Sequence, residues 1–145
     1  MLLALAAVSC TDPEAGALTD LVHMGVPTTF QPGQGLAVGA LTLAFAGVEN
    51  DSRCPVDVVC VWQGDATVQF TIGFTNRDIM APVRLLELHT GSGPQAASGY
   101  GYIVILTRLE PESKAGVAIK PEDYRATVEV QPDTDGVRPD LHGRP

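Results

Sequence analysis

Basic side chains are scarce in this chain. Nine Lys and Arg stand against 17 Asp and Glu, for a net charge of −8 and a pI near 4.6, and none occurs before Arg53. A surface of that sign repels phosphate backbones, which argues against nucleic acid as a partner. It also offers no polybasic patch to anionic lipid. Long hydrophobic runs are missing as well: the apolar start, Leu2 to Val8, falls far short of the ~20 residues a spanning helix needs. Cysteine is limited to three residues and tryptophan to one, so any staple or aromatic anchor must come from few positions. What is abundant is punctuation. Fifteen Gly and 11 Pro suit strands joined by turns better than helices. With 45% hydrophobic and 18% charged residues, 145 residues can form one domain with a real core, and not two.

The first residues, "MLLALAAVSC", have the apolar stretch and small-residue ending of a secretory signal over 1–9, without the usual basic n-region. A start codon further upstream would restore it. "AAVSC" resembles the lipobox of bacterial lipoproteins, in which the cysteine, here Cys10, becomes lipidated; Ala7 stands where Leu is commoner. The plainer reading is an ordinary signal that leaves a soluble secreted or periplasmic protein. Residues 10–20 then form a small, acidic, flexible tether. An odd cysteine in an exported chain needs an explanation. Lipid on Cys10 supplies one, leaving Cys54 and Cys60 as a pair.

From Leu21 the pattern becomes short apolar runs broken by turn residues. The clearest is "ATVQFTIGF", with Ala66, Val68, Phe70, Ile72 and Phe74 on one face and Thr67, Gln69 and Thr71 on the other, the period of a half-buried strand. "LTLAFAGV" and "DYRATVEV" alternate similarly, the latter with Tyr124, Ala126, Val128 and Val130 inward. "APVRLLELH" slips phase at Leu85-Leu86, as at a bulge. "YIVILTRL" is apolar on both faces, which predicts a central strand covered on each side. "TGSGPQAASGYG" reads as a loop, and no window supports an amphipathic helix. About seven strands over 21–131 predict an all-β fold, an antiparallel β-sandwich of immunoglobulin-like kind or a small barrel. Residues 132–145, without a period, read as a disordered tail.

One loop concentrates the unusual residues: "DSRCPVDVVCVWQGDA", Asp51 to Ala66. Fully extended chain would hold Cys54 and Cys60 about 20 Å apart, whereas a disulfide needs Cα atoms roughly 4.4–6.8 Å apart. The chain must double back, and Pro55 and Asp57 supply turn chemistry. Closing so small a loop removes denatured-state entropy equivalent to about 2.4 kcal/mol in a chain-entropy treatment. Trp62 lies two residues beyond Cys60 and shares its face, so its ring is expected to pack on the bridge and cap the core. Asp51 and Arg53 are placed to pair with each other or to bond the loop backbone.

"DSRCP" followed by "CVWQGDA" resembles a family of small secreted bacterial lipoproteins without an established function. Its members show Asp-Ser-Arg-Cys-Pro, a short gap, then Cys, an apolar residue, Trp, any residue and Gly. The matching positions are Asp51, Ser52, Arg53, Cys54, Pro55, Cys60, Trp62 and Gly64, and the likeness runs from about Leu21 to Val130 through "FQPGQ" and "YIVIL…LEP". The resemblance implies an exported, disulfide-bonded β domain and no reaction.

Other chemistry has little material. The cysteine pair could bind zinc or copper(I) as thiolates, but exported cysteines usually oxidise. His23, Met24, Met80 and His89 could converge on copper as a periplasmic carrier would require. Ser52, Ser92 and Ser98 lie in no nucleophile elbow, and three histidines leave little for a triad. Asp57, Asp65 and Asp78 could pair only if the fold brings them together. "DTDG" at Asp133 starts like a calcium loop but lacks its closing Glu. The expectation is therefore a non-enzymatic, cofactor-free envelope lipoprotein, anchored on the outer membrane or facing the periplasm. It would bind a protein or glycan through loops at one end, with Asp51, Ser52, Arg53, Pro55, Trp62 and Gly64 forming either a binding surface or a purely structural loop. The alternative is an inhibitor of extracellular proteases or lysozymes that presents the same loop as bait.

Overall fold

The computed structural model describes residues 21–135. The expected export signal, lipidated Cys10 and tether, and the part of the expected 132–145 tail beyond Asp135, lie outside them; the start of that tail is instead ordered, Pro132 ending the last strand and the Asp133 amide bonding the Gly101 carbonyl. Eight strands follow one another: β1 (Thr28–Phe30), β2 (Gly35–Val38), β3 (Leu41–Asp51), β4 (Ala66–Phe74), β5 (Arg84–His89), β6 (Ala96–Gly99), β7 (Tyr102–Glu110) and β8 (Arg125–Pro132). A single 3₁₀ turn, Pro121–Asp123, precedes β8. The strands form two four-stranded sheets, ordered β2-β3-β4-β5 and β1-β8-β7-β6, antiparallel throughout. The molecule is a β-sandwich. It does not close into a barrel: the chain changes sheet between β1 and β2 and between β5 and β6, where no strand ladder joins the sheets. Neighbours in each sheet are neighbours in sequence, apart from the pairing of β1 with β8, so the connectivity is a meander.

The core lies between the inward faces. Phe70 on β4 stacks on Phe45 of β3 at 5.1 Å and meets the edge of Phe30, from the opposite sheet, at 5.3 Å. All three rings are fully buried, and such pairs add to simple area burial. Tyr124, just before β8, and Ala126, Val128 and Val130 on it face the same core, as their alternation predicts.

Several expectations are corrected. β5 contains no bulge: its register with β4 runs unbroken from Thr67↔His89 to Ile72↔Arg84, with Leu86 and Leu88 inward and Leu85 turned to solvent. The register shifts fall instead in β3, on either side of Gly47 and Val48, and in β7 between Leu106 and Arg108. β7 is central within its sheet but is covered on one face only. Ile103 and Ile105 on its outer face are partly shielded, beside cross-strand partners such as Gln131 and Glu129. β6 occupies part of the expected "TGSGPQAASGYG" loop. Its Ala and Ser residues carry little strand propensity, and pairing with β7 decides its conformation.

The antiparallel order gives the domain two distinct ends. One carries the Gly39-Ala40 and Tyr100-Gly101 turns, and both ends of the described chain leave there: Leu21 bridges Ala37, the Gly25 amide bonds Val130, and Pro132 pairs with Tyr102. The Asp51–Ala66 loop projects from the other end.

Candidate functional site

That loop is a finger whose base continues the β3–β4 ladder. The Ser52 amide and hydroxyl both donate to the Asp65 carbonyl, at 2.7 and 2.9 Å, and the Cys54 amide donates to the Gln63 carbonyl at 2.8 Å. Gly64 has φ +72°, and a Cβ there would collide with the Ser52 carbonyl, so the base closes only around glycine. Cys54 and Cys60 are joined, with Cα atoms 6.0 Å apart. The Pro55 carbonyl accepts from Val58, completing the turn between the sulfurs. The Val56 amide and the Asp57 carboxylate bond Ser113 and Ala115, tying the finger to the β7–β8 connection.

Asp51 and Arg53 lock the finger to the second sheet. Arg53 grips Asp51 with two parallel hydrogen bonds, 2.8 and 2.7 Å, and its other donors reach the Leu109 and Pro111 carbonyls at 3.0 and 2.9 Å. Tyr124 donates to the same carboxylate at 2.9 Å. Both charged side chains are largely shielded from water. Burial pushes the Asp51 carboxyl up, but hydrogen bonds from Arg53 and Tyr124 prevail and hold it below its usual range. The Asp51 bond likewise raises Arg53 against its own burial. Tyr124 is pushed up to about 12 by burial and by its bond to a carboxylate. The expected Asp51–Arg53 pairing is thus present, and the backbone it serves belongs chiefly to the far end of β7.

Trp62 departs from expectation. Its ring neither packs on the disulfide nor caps the core; it is 83% exposed, beside Val61 at 91% and Val59 at 101%, with Val56 and Val58 also exposed. Trp62 lies beyond the last pairing of the finger base, between Cys54 and Gln63, where the chain bends rather than continuing as a strand. Each valine left in water forgoes roughly 1.5–3 kcal/mol of burial, and the indole more. An apolar cluster held out on a covalently closed loop is the composition of a contact surface.

A second feature went unread in the sequence. Asp65, at the finger base, accepts a hydrogen bond from His89 Nδ1 at 2.5 Å and from the Gly91 amide at 2.8 Å. Burial raises the Asp65 carboxyl, and those bonds outweigh it and leave it below the usual range. The partners lie 24 and 26 residues away, a separation that carries no local signal. Gly91 can approach because it has no Cβ to strike the Gly64 carbonyl, and a Cβ at Gly93 would strike the His89 ring, so both glycines of "TGSG" have a reason. Among the described residues no serine hydroxyl bonds His89. Ser52 is used by the finger base, and Ser98 lies on β6.

A depression of about 400 Å³ opens between the finger and the β5–β6 connection, lined by Ser52, Trp62, Gln63, Asp65, Gly91 and Ser92. A smaller one of about 260 Å³ lies against Arg53 and β7. The four possible copper ligands do not all converge. His89 ends β5 at the finger, whereas Met80 precedes the opposite end of that strand, and the sulfurs of Cys54 and Cys60 are bonded to each other. Asp57 and Asp65 lie on the finger, and Asp78 lies in the β4–β5 connection at the far end.

No protein-family model, curated protein or solved structure matches this chain. Several residues of the "DSRCP" and "CVWQG" motifs have structural duties here: Asp51 and Arg53 lock, Ser52 and Gly64 close, Cys54 and Cys60 staple.

Proposed function

We propose that this chain is an exported bacterial envelope lipoprotein without a catalytic role, anchored through lipid on Cys10, whose stapled finger binds a protein or glycan of the envelope. The observation that carries the reading is the finger itself. Its fold-keeping residues point inward and form hydrogen bonds, while its apolar ones point outward on a loop with little left to order. Support for the anchoring comes from the "AAVSC" start and from geometry. Leu21, the first described residue, lies at the end opposite the finger, so a tether there would present the finger away from its own membrane.

The test compares binding of purified domain to isolated envelopes with that of Val59→Asp and Trp62→Ala, each checked for unchanged melting. We expect at least tenfold weaker binding for either variant. Envelope binding indifferent to both substitutions would refute the reading. Lipid on Cys10 is tested separately, by labelling with a fatty-acid analogue that Cys10→Ala should abolish.

One observation favours the inhibitor as second reading: Val59, the most exposed of the finger's large apolar side chains, adjoins the half-cystine Cys60, as a rigid bait requires. Dose-dependent inhibition of a hydrolase that prefers small aliphatic side chains, lost in Val59→Asp, would favour it over simple adhesion.

A further inference from the structure

We infer that the depression beside Trp62 is a binding site for a neutral sugar ring, an inference that rests on the finger being the contact surface and that names its ligand chemistry. The indole is exposed on one side of a hollow of about 400 Å³, within the range of small-ligand sites. Around the indole stand groups with hydrogen-bonding capacity to spare. The Gln63 amide, the Ser92 hydroxyl and the Trp62 N–H make no side-chain hydrogen bond among the described residues. The Asp65 carboxylate also borders the hollow, held in place by His89, Thr90 and the Gly91 and Ala66 amides.

This set matches a pyranose. The apolar C–H face of a sugar ring covers an aromatic face, and its hydroxyls need both donors and acceptors at the rim. Gln63 and Ser92 supply both. The sign of charge selects further. No Lys or Arg lines the hollow, an ionised carboxylate does, and the chain carries net −8, so phosphorylated or uronic sugars are disfavoured. The site is also held ready before any ligand arrives. His89 and the Gly91 amide fix Asp65, the Cys54 amide fixes the Gln63 backbone, and the disulfide closes two residues before Trp62.

The test titrates the oxidised protein with cellohexaose, maltohexaose and chitohexaose. It follows Trp62, the sole tryptophan, by fluorescence and repeats each titration by calorimetry. At least one neutral oligosaccharide should bind and shift the emission. Affinity should fall at least tenfold in Trp62→Ala, read by calorimetry, and in the Gln63→Ala/Ser92→Ala double variant. Met80→Gln, at the opposite end of the sandwich, should bind like the parent. Polygalacturonate should not bind. Failure of all three neutral sugars, or binding unchanged in the double variant, overturns the inference. A parallel assay on deglycosylated envelope protein separates the two levels. Trp62-dependent binding there without sugar binding removes the sugar and keeps the finger, and loss of both removes both.

Discussion

At the scale of single residues, Arg53 does more for this fold than any other charged side chain, because one guanidinium joins Asp51 on β3 to the carbonyls that end β7. Arg53→Ala leaves a shielded carboxylate and two carbonyls short of a donor. It should cost about 2–3 kcal/mol, read as a lower urea midpoint at unchanged m. Tyr124→Phe removes one charge-assisted bond and should cost about 1.5 kcal/mol. Three groups shape the pH dependence. Asp51 and Asp65 titrate lower in the folded than in the unfolded chain. Their contribution is present above the ordinary carboxylate pKa and is lost as pH falls through the acid range. Tyr124 titrates higher when folded, at about 12. Its contribution is whole below pH ~10 and is lost as pH rises toward 12. Melting curves from pH 2 to 12 should show both declines, and Tyr124→Phe should flatten the alkaline one.

At the scale of elements, the long strands were legible and the short ones were not. β4 could be drawn residue by residue because alternation over nine positions leaves no other period. β2 and β6, four residues each, are too short to show one and are made partly of Gly, Ala and Ser. The bulge was expected in β5 because Leu85 and Leu86 are both apolar; in fact Leu85 simply faces water. Trp62 failed for a related reason. Alternation says which side chains share a face, and never whether that face has a partner layer. The Asp65–His89 bond depended on the β4–β5 pairing and was invisible locally. The finger yields its own prediction. Replacing Cys54 and Cys60 by serine should lower stability by about 2.4 kcal/mol, or roughly 10 °C in melting temperature. Gly64→Ala should be worse than a usual surface change, because its new methyl meets backbone.

At the scale of the whole molecule, stability and recognition occupy different places. The cluster of Phe30, Phe45 and Phe70 binds the sheets together, and Phe70→Ala should cost about 3–5 kcal/mol. The finger tip, in contrast, contributes little to the fold: Trp62→Ala should move stability by no more than about 0.5 kcal/mol. That separation is the basis of the functional reading, and the lone tryptophan reports on it without need of a partner. Emission of the native, oxidised protein should resemble that of the denatured chain and be quenched freely by acrylamide. A blue-shifted native emission protected from acrylamide would mean that the indole is buried, and the finger would then be a structural cap with no contact surface to offer.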